Sequence, residues 1–328
     1  MNIINNKNEW QCKICGNYST DSEEFERSFE THLKEEHNLN IEKYNTIIND
    51  SAVGLNKMKV KLLSCSTNPE LALISFINQT WGPLTNLDSF SEEEIDIMIN
   101  NILDGSTLST ALETINFTFQ IEGITRACSH QLVRVRIGSG FSQKGMRDVN
   151  YKNFEYVIPP TVAAIGLTNE YIEFMKLASD FYEKLFEEGV PYQDARFVVP
   201  HAATTSLAWT VNLLALSNFC SKRLQNHMQW EINALARMIR KEIQTKYPII
   251  SKILKPRCEV VGKCLNFSNL SKGCGKFKKE FTENNKIFLL EQMTKKIKFD
   301  NNSVENMKFN NQKIKKGTEK YWCIQMKI

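Results

Sequence analysis

The sequence predicts an α+β fold, a mixed α/β domain with long helices preceded by a small Cys/His unit. Three observations carry this. Residues 114–121, Thr-Ile-Asn-Phe-Thr-Phe-Gln-Ile, put Ile115, Phe117, Phe119 and Ile121 on one face, the period-two pattern of a half-buried strand. Residues 166–188 and 206–246 instead repeat apolar side chains at helical spacing. Residues 1–45 hold two cysteines and two histidines, and a unit so small needs a staple to fold.

Length and composition bound the rest. A chain of 328 residues can bury a sizeable core and hold one large domain beside a small one. Hydrophobic residues make up 42% and charged ones 24%, ordinary for a globular protein, and a net charge of +4 does not by itself argue for a nucleic-acid partner. No apolar run has transmembrane length, and the Asn-rich start does not read as a leader. A cytoplasmic protein with no membrane partner is expected. Its nine cysteines then read as thiols or metal ligands, not disulfides.

Taken in order, residues 1–45 carry Cys12, Cys15, His32 and His37 in the spacing C-x2-C-x16-H-x4-H. Zinc takes four such soft or borderline donors in a tetrahedron. Phe25, Phe29 and Leu33 recur between them and would cover the metal. Residues 46–58 read as a linker and 59–276 as the main domain. Val60–Cys65 reads as a strand, and Asn68 caps a helix from Pro69. Ser91 before three glutamates starts another helix, which Gly105 ends. Gly123 is expected to break the 114–121 strand, and a helix to run from Ile124 to about Arg134, with Gln131 and Arg134 on one face. Gly138 and Gly140 force a loop. Phe154–Ile158 reads as extended.

Gly189 ends the helix of 166–188. Over 206–246 one long helix is expected, open to a kink, with Asn212, Arg223 and His227 on one side. That polar stripe is either a solvated face or a ligand wall flanked by Trp209 and Trp230. Cys258, Cys264 and Cys274 are one ligand short of a closed zinc site. Residues 277–328 form a Lys/Asn-rich tail; from Lys276 onward 13 lysines stand against 6 acidic residues.

The stretch Gln131–Arg147 is the chemical focus. It has three arginines, three glycines and no acidic residue. Arginine forks hold phosphate oxygens in pairs, and glycine lets backbone approach a ligand. Such a loop suits an anionic, planar ligand, or it is a solvated basic loop.

Four segments resemble the flavin-dependent thymidylate synthases, the ThyX type. They are Val60–Glu70, Leu112–Phe119, Gln131–Ile137 continuing to Gly145-Met-Arg147, and Asp194–Pro200 followed by Trp209–Asn212, Asn218, Arg223, His227 and Gln229–Ile232. The resemblance implies a ThyX-like fold, a homotetramer with shared sites, and reductive methylation of dUMP to dTMP with FAD, NADPH and methylenetetrahydrofolate. It puts Glu113, Arg134, Arg136, Asn212, Asn218 and His227 around the flavin, with Gln229 in support. It puts Gln131, Gln143, Arg147, Arg196 and Arg223 around the nucleotide, and makes Arg134, Arg136, Gln143 and Arg147 the catalytic set. The small N-terminal unit resembles fingers attached to mobile-element and phage proteins, which implies docking to nucleic acid or protein.

The chain departs from the family pattern in and around that stretch. Val135 stands where the signature has histidine, Lys144 or Gly145 where it has serine, Asp148 for tyrosine and Thr114 for histidine, and one residue is inserted near Gly138–Gly140. An isopropyl group replaces an imidazole's donor and acceptor with nothing. Either Ser139 or Ser142 substitutes through the shifted loop, or the ligand differs, or catalysis is lost. Flavin-dependent modification of another pyrimidine nucleotide or nucleic-acid base, and an inactive nucleic-acid-binding relative, are the alternatives.

Overall fold

A computed structural model describes residues 10–12, 18–19, 29–49, 54, 57–79, 82, 90–105, 109–147, 149–225 and 228–262. All belong to the unit Met1–Lys278. Cys15, Asp148, His227, Cys264, Cys274 and the Lys/Asn-rich tail lie outside the described residues.

The chain opens with a two-stranded ribbon, β1 (Trp10–Gln11) against β2 (Tyr18–Ser19), then α1 (Phe29–His37) and α2 (Ile41–Asn49). The second helix continues past residue 45, into the stretch read from sequence as linker. Leu33, Leu39, Tyr44 and Ile47 bury against Ile158, Ala163 and Ala164, so this unit is seated on the main body.

The main body is a four-stranded antiparallel sheet, order β3 (Lys59–Cys65), β4 (Asn116–Thr125), β6 (Thr204–Asn212), β5 (Ser139–Gln143). Between β3 and β4 come α3 (Pro69–Gln79) and α4 (Glu92–Asp104). The α4 start falls at Ser91, as read from sequence, and is a capping box: Ser91 Oγ accepts from Glu94 N, Glu94 accepts from Ser91 N, and Gly105 closes the helix at φ 83°. Helix α5 (Arg126–Leu132) follows β4 directly. After β5, α6 (Pro160–Ala164), α7 (Thr168–Glu187) and α8 (Tyr192–Ala195) lead to β6. Then α9 (Leu213–Arg223), α10 (Trp230–Lys246), α11 (Pro248–Ser251) and α12 (Arg257–Val261) complete the described chain.

The core lies on one face of the sheet. Phe117, Phe119 and Ile121 of β4 pair in register with Val211, Trp209 and Leu207 of β6. They bury against Leu216 and Phe219 of α9 and Ile232, Leu235, Ile239 and Ile243 of α10. Each phenylalanine so buried contributes about 1.5–3 kcal/mol. The opposite face is polar, and Thr118 and Thr210 pair through their hydroxyls at 3.0 Å.

Four readings of the sequence need correction. Residues 206–246 do not form one helix. Thr205, Leu207, Trp209 and Val211 alternate inward as strand β6, and Asn212 caps the helix that follows. The spacing of Leu207, Val211 and Leu214 fits a helix as well, but the alternating partner strands decide the outcome. Trp209 is accordingly a core residue and no ligand wall. Gly123 does not end β4: at φ 70° it makes a bulge, and a Cβ there would lie 2.0 Å from the Lys57 carbonyl oxygen. Helix α5 ends at Leu132, leaving Arg134 off the helix that Gln131 occupies. Gly138 turns the chain at φ 69°, whereas Gly140 lies inside strand β5.

Candidate active site around the arginine turn

Helix α5 and the turn after it carry the sequence-predicted cations. Thr125 caps the helix by accepting from Cys128 N at 3.0 Å. Its own N–H and hydroxyl donate to the two carboxylate oxygens of Glu231, at 2.7 and 2.6 Å. Glu231 is 2% exposed. Burial lifts its carboxyl above the ordinary value, and the two bonds from Thr125 pull the other way. This buried bridge fixes α10 to the start of α5.

Beyond Leu132 the chain alternates. Arg134 and Arg136 are exposed, while Val135 is half-buried against the main core. The position that carries histidine in the ThyX signature therefore does packing here. Among the described residues neither guanidinium has a hydrogen-bond or ion-pair partner. Ile137 is 91% exposed. The backbone below them is nonetheless held. Asn212 N donates to the Gly138 carbonyl at 2.9 Å, and a Cβ on Gly138 would lie 2.5–2.7 Å from the Asn212 side chain.

The predicted site residues fall into two groups at opposite ends of β5, whose five residues span roughly 17 Å. At the Ser139 end lie Arg134, Arg136 and Asn212. Asn212 Oδ1 is spent on capping α9, accepting from Ala215 N at 2.9 Å. Asn218 is exposed on α9, and Glu113 is exposed at the end of a short 3-10 turn packed against that helix. At the Gln143 end, the Gln143 amide donates to Ser129 Oγ at 3.0 Å and to Thr205 Oγ1 at 3.3 Å. Arg147 follows, exposed, at the edge of a cavity of about 520 Å³ lined also by Phe186, Val190, Pro191 and Tyr192. Arg223 ends α9, its guanidinium 3.7 Å from the Met228 sulfur, and its charge acts on the Cys128 thiol beside Ser129. Gln131 is half-buried on α5, and Arg196 is half-buried where α8 passes into a 3-10 turn. The Gln229 side chain caps α10 by accepting from Ile232 N at 3.0 Å.

Ser139 Oγ accepts from the indole N–H of Trp209 at 3.1 Å, and Ser142 is exposed on the other face of β5. The buried thiols are poor nucleophiles. Burial, with the Glu231 charge second, pushes Cys128 well up against the opposing pull of Arg223, and burial pushes Cys220 up to about 12. Three residues of this region escaped the sequence reading: Arg126, Ser129 and Thr205. Only the Thr125 cap could have flagged the start of that helix, since their partners are far off in sequence.

A second cluster lies in the N-terminal unit. The ligand atoms of Cys12, His32 and His37 all lie within 4.8 Å of one another, with Cys12 Sγ 3.5 Å from His37 Nε2. Among the described residues no helix is long and apolar enough to cross a membrane.

An antiparallel sheet covered on one face by helices, with an arginine turn at its edge strand, defines the class of fold. The sequence profile of the thymidylate synthase complementing protein family matches residues 61–249, more than half of the 328-residue chain, and the chain belongs to that family. It is 34% identical over 227 residues to a flavin-dependent thymidylate synthase of Clostridium tetani, covering 63% of this chain and 90% of that one. A flavin-dependent thymidylate synthase of Geobacter sulfurreducens is 35% identical over 214 residues, with the same two coverages. Among solved structures, a UMP/dUMP methylase, PolB, from Streptomyces cacaoi, bound with 5-Br dUMP, matches with a TM-score of 0.52. It is 18% identical and aligns over 61% of this chain and 96% of that one, a likeness of fold.

Proposed function

We propose that the protein is a thymidylate synthase of the flavin-dependent type, methylating dUMP to dTMP with FAD, NADPH and methylenetetrahydrofolate. One observation carries the reading: within a chain of this family, Arg134 and Arg136 have no partner among the described residues and stand on a turn whose backbone Asn212 holds. A rigid turn with unpaired guanidiniums suits phosphates, which accept charge-assisted bonds in pairs. The relatives named for flavin and the methylase bound with 5-Br dUMP make FAD and dUMP the fitting anions. Bound there, the flavin supplies the reducing equivalents and the folate supplies the one-carbon unit. Arg134, Arg136, Asn218 and Glu113 would orient the cofactor, with Asn212 fixing the turn and His227 completing the set. Gln131, Gln143, Arg147, Arg196 and Arg223 would hold the nucleotide. The raised thiols of Cys128 and Cys220 agree with chemistry that needs no protein nucleophile.

The test is twofold. The purified protein should carry visible flavin absorbance, and it should yield dTMP by mass spectrometry from dUMP, methylenetetrahydrofolate and NADPH. A colourless, inactive protein refutes the reading. Val135, packed on the core where the signature has imidazole, favours a second reading in which another pyrimidine nucleotide or a nucleic-acid base is the substrate. Flavin without dTMP would select it.

Two further properties belong to the same proposal. Cys12, Cys15, His32 and His37 would hold a structural zinc. The three described donors converge, and thiolate with imidazole is a fitting set. Elemental analysis should find one zinc per chain. Nucleic acid, if it docks on this unit, must use a face other than the one buried against α6. Assembly into a homotetramer is supported by Phe174, Leu177 and Phe181, exposed on successive turns of α7. Light scattering that returned the mass of one chain would remove that part.

A further inference from the structure

The carboxamide of Gln143 can face its ligand with either its nitrogen or its oxygen, and the groups behind it decide which. Ser129 and Thr205 are 2% and 4% exposed. The Ser129 hydroxyl donates to the Arg126 carbonyl oxygen at 2.9 Å. A carbonyl can only accept, so the single hydroxyl proton of Ser129 is committed, and its oxygen has only lone pairs left for Gln143. Thr205 Oγ1 in turn accepts from the Arg126 guanidinium at 3.5 Å. The same guanidinium holds the Lys144 carbonyl at 3.3 Å, the residue next to Gln143 in the chain. Ser129 therefore presents only an acceptor to the amide, whereas Thr205 keeps its own hydroxyl proton. Nε2 accordingly points inward, 3.0 Å from Ser129 Oγ and 3.3 Å from Thr205 Oγ1. With Oε1 inward instead, it would face the Ser129 oxygen with no proton between. Gln143 is half-exposed, and Oε1 has no partner among the described residues.

We infer that Ser129, its hydroxyl oriented by the Arg126 carbonyl, is a positioning residue that locks Gln143 with its oxygen outward. Gln143 then offers the nucleotide a hydrogen-bond acceptor. Its counterpart is a donor on the nucleoside part, either the sugar 3′-hydroxyl or the ring N3–H. It is not the phosphate, which carries only acceptors. A cytosine ring has no N3–H, so a contact at the ring would also discriminate between bases. This inference rests on the nucleotide-binding reading above and adds which chemical group Gln143 recognises.

The experiment measures dissociation constants of purified full-length protein for dUMP, for 2′,3′-dideoxyuridine monophosphate, which lacks the 3′-hydroxyl, and for N3-methyl-dUMP, which lacks the ring donor. Ser129→Ala frees the amide to turn over. It should weaken dUMP binding about tenfold, the scale of one lost hydrogen bond. For the analogue lacking the contacted donor, Ser129→Ala and wild type should bind alike, which identifies the source. Ser129→Thr, which keeps the hydroxyl, should restore dUMP affinity and also serves if the alanine variant does not fold. In a Gln143→Ala background the Ser129 change should have no further effect. Unchanged dUMP affinity in Ser129→Ala overturns the inference, as does an equal loss for all three ligands or strict additivity with Gln143→Ala. A wild-type protein that does not bind dUMP overturns the proposed function and this inference together. Binding that ignores Ser129 overturns the inference alone.

Discussion

Around Trp209 every group has found a partner within the chain. Its indole N–H donates to Ser139 Oγ, the Phe141 ring stacks at 5.9 Å, and Phe219 meets it edge-on at 5.2 Å. Only a few residues away, across Gly138, the arginine turn is built differently. Its backbone is pinned by Asn212, but Arg134, Arg136 and Ile137 project outward. The first region is complete as a folded chain, and the second is the one the proposed function completes with a ligand. Substitutions in the interior should therefore register as stability, and substitutions in the turn as binding.

The largest effect belongs to the interior. Trp209→Ala removes a fully buried indole and orphans Ser139, and should cost about 3–5 kcal/mol of unfolding free energy in chemical denaturation. A loss below about 1 kcal/mol would mean the site collapses around the gap and the interior is not closely packed. Next comes the junction. Gly138→Ala forces a side chain into left-handed backbone at about 1–2 kcal/mol. It also drives a Cβ into the Asn212 side chain that caps α9. Stability and flavin retention should both fall. Loss of one without the other would show that the two regions are not joined through Gly138.

Glu231 tests the buried bridge behind the turn. Its carboxyl is raised from 4.5 in the folded state, chiefly by burial. A raised pKa means the folded protein holds the proton more tightly than the unfolded chain does. The stability this gives is fully present below 4.5 and is lost as pH rises through the folded pKa. The stability of wild type relative to Glu231→Gln should thus decline from acid toward neutral pH, by about 1.4 kcal/mol for every tenfold difference in proton affinity between the folded and unfolded states. Urea midpoints at several pH values measure it. A difference that grows with pH would mean that the bonds from Thr125 outweigh desolvation, and that the carboxylate is the native form.

What the sequence made legible follows from how local each signal is. The helix start at Ser91 and the helix 168–187 needed only near neighbours, and both were readable. The strand at 204–212 was not, because Leu207, Val211 and Leu214 satisfy a helical spacing too, and only pairing with Asn116–Thr125 settles the matter. Gly123 looked like a terminator because a bulge has meaning only against its partner strand. In the candidate site the arginines were visible by composition and motif. The residues that hold Gln143 were not: Arg126, Ser129 and Thr205 are ordinary residues whose role depends on contacts 14 to 79 positions apart. Val135 was visible as a departure, but its packing against the core was not.

The smallest stability effect is the most informative. Arg134→Ala and Arg136→Ala each delete an exposed guanidinium with no partner among the described residues, so unfolding free energy should stay within about 0.5 kcal/mol of wild type. If the turn is completed by a phosphate-bearing ligand, each change removes a charge-assisted contact worth about 1.5–3 kcal/mol, a loss of roughly tenfold or more in flavin affinity. Equilibrium titration with FAD beside a denaturation curve on the same sample reads both quantities. A variant that loses stability and binding in proportion would place Arg134 or Arg136 with Trp209, as part of the scaffold. A variant that loses neither would make the turn a solvated basic loop and leave the proposed cofactor contacts to Glu113 and Asn218.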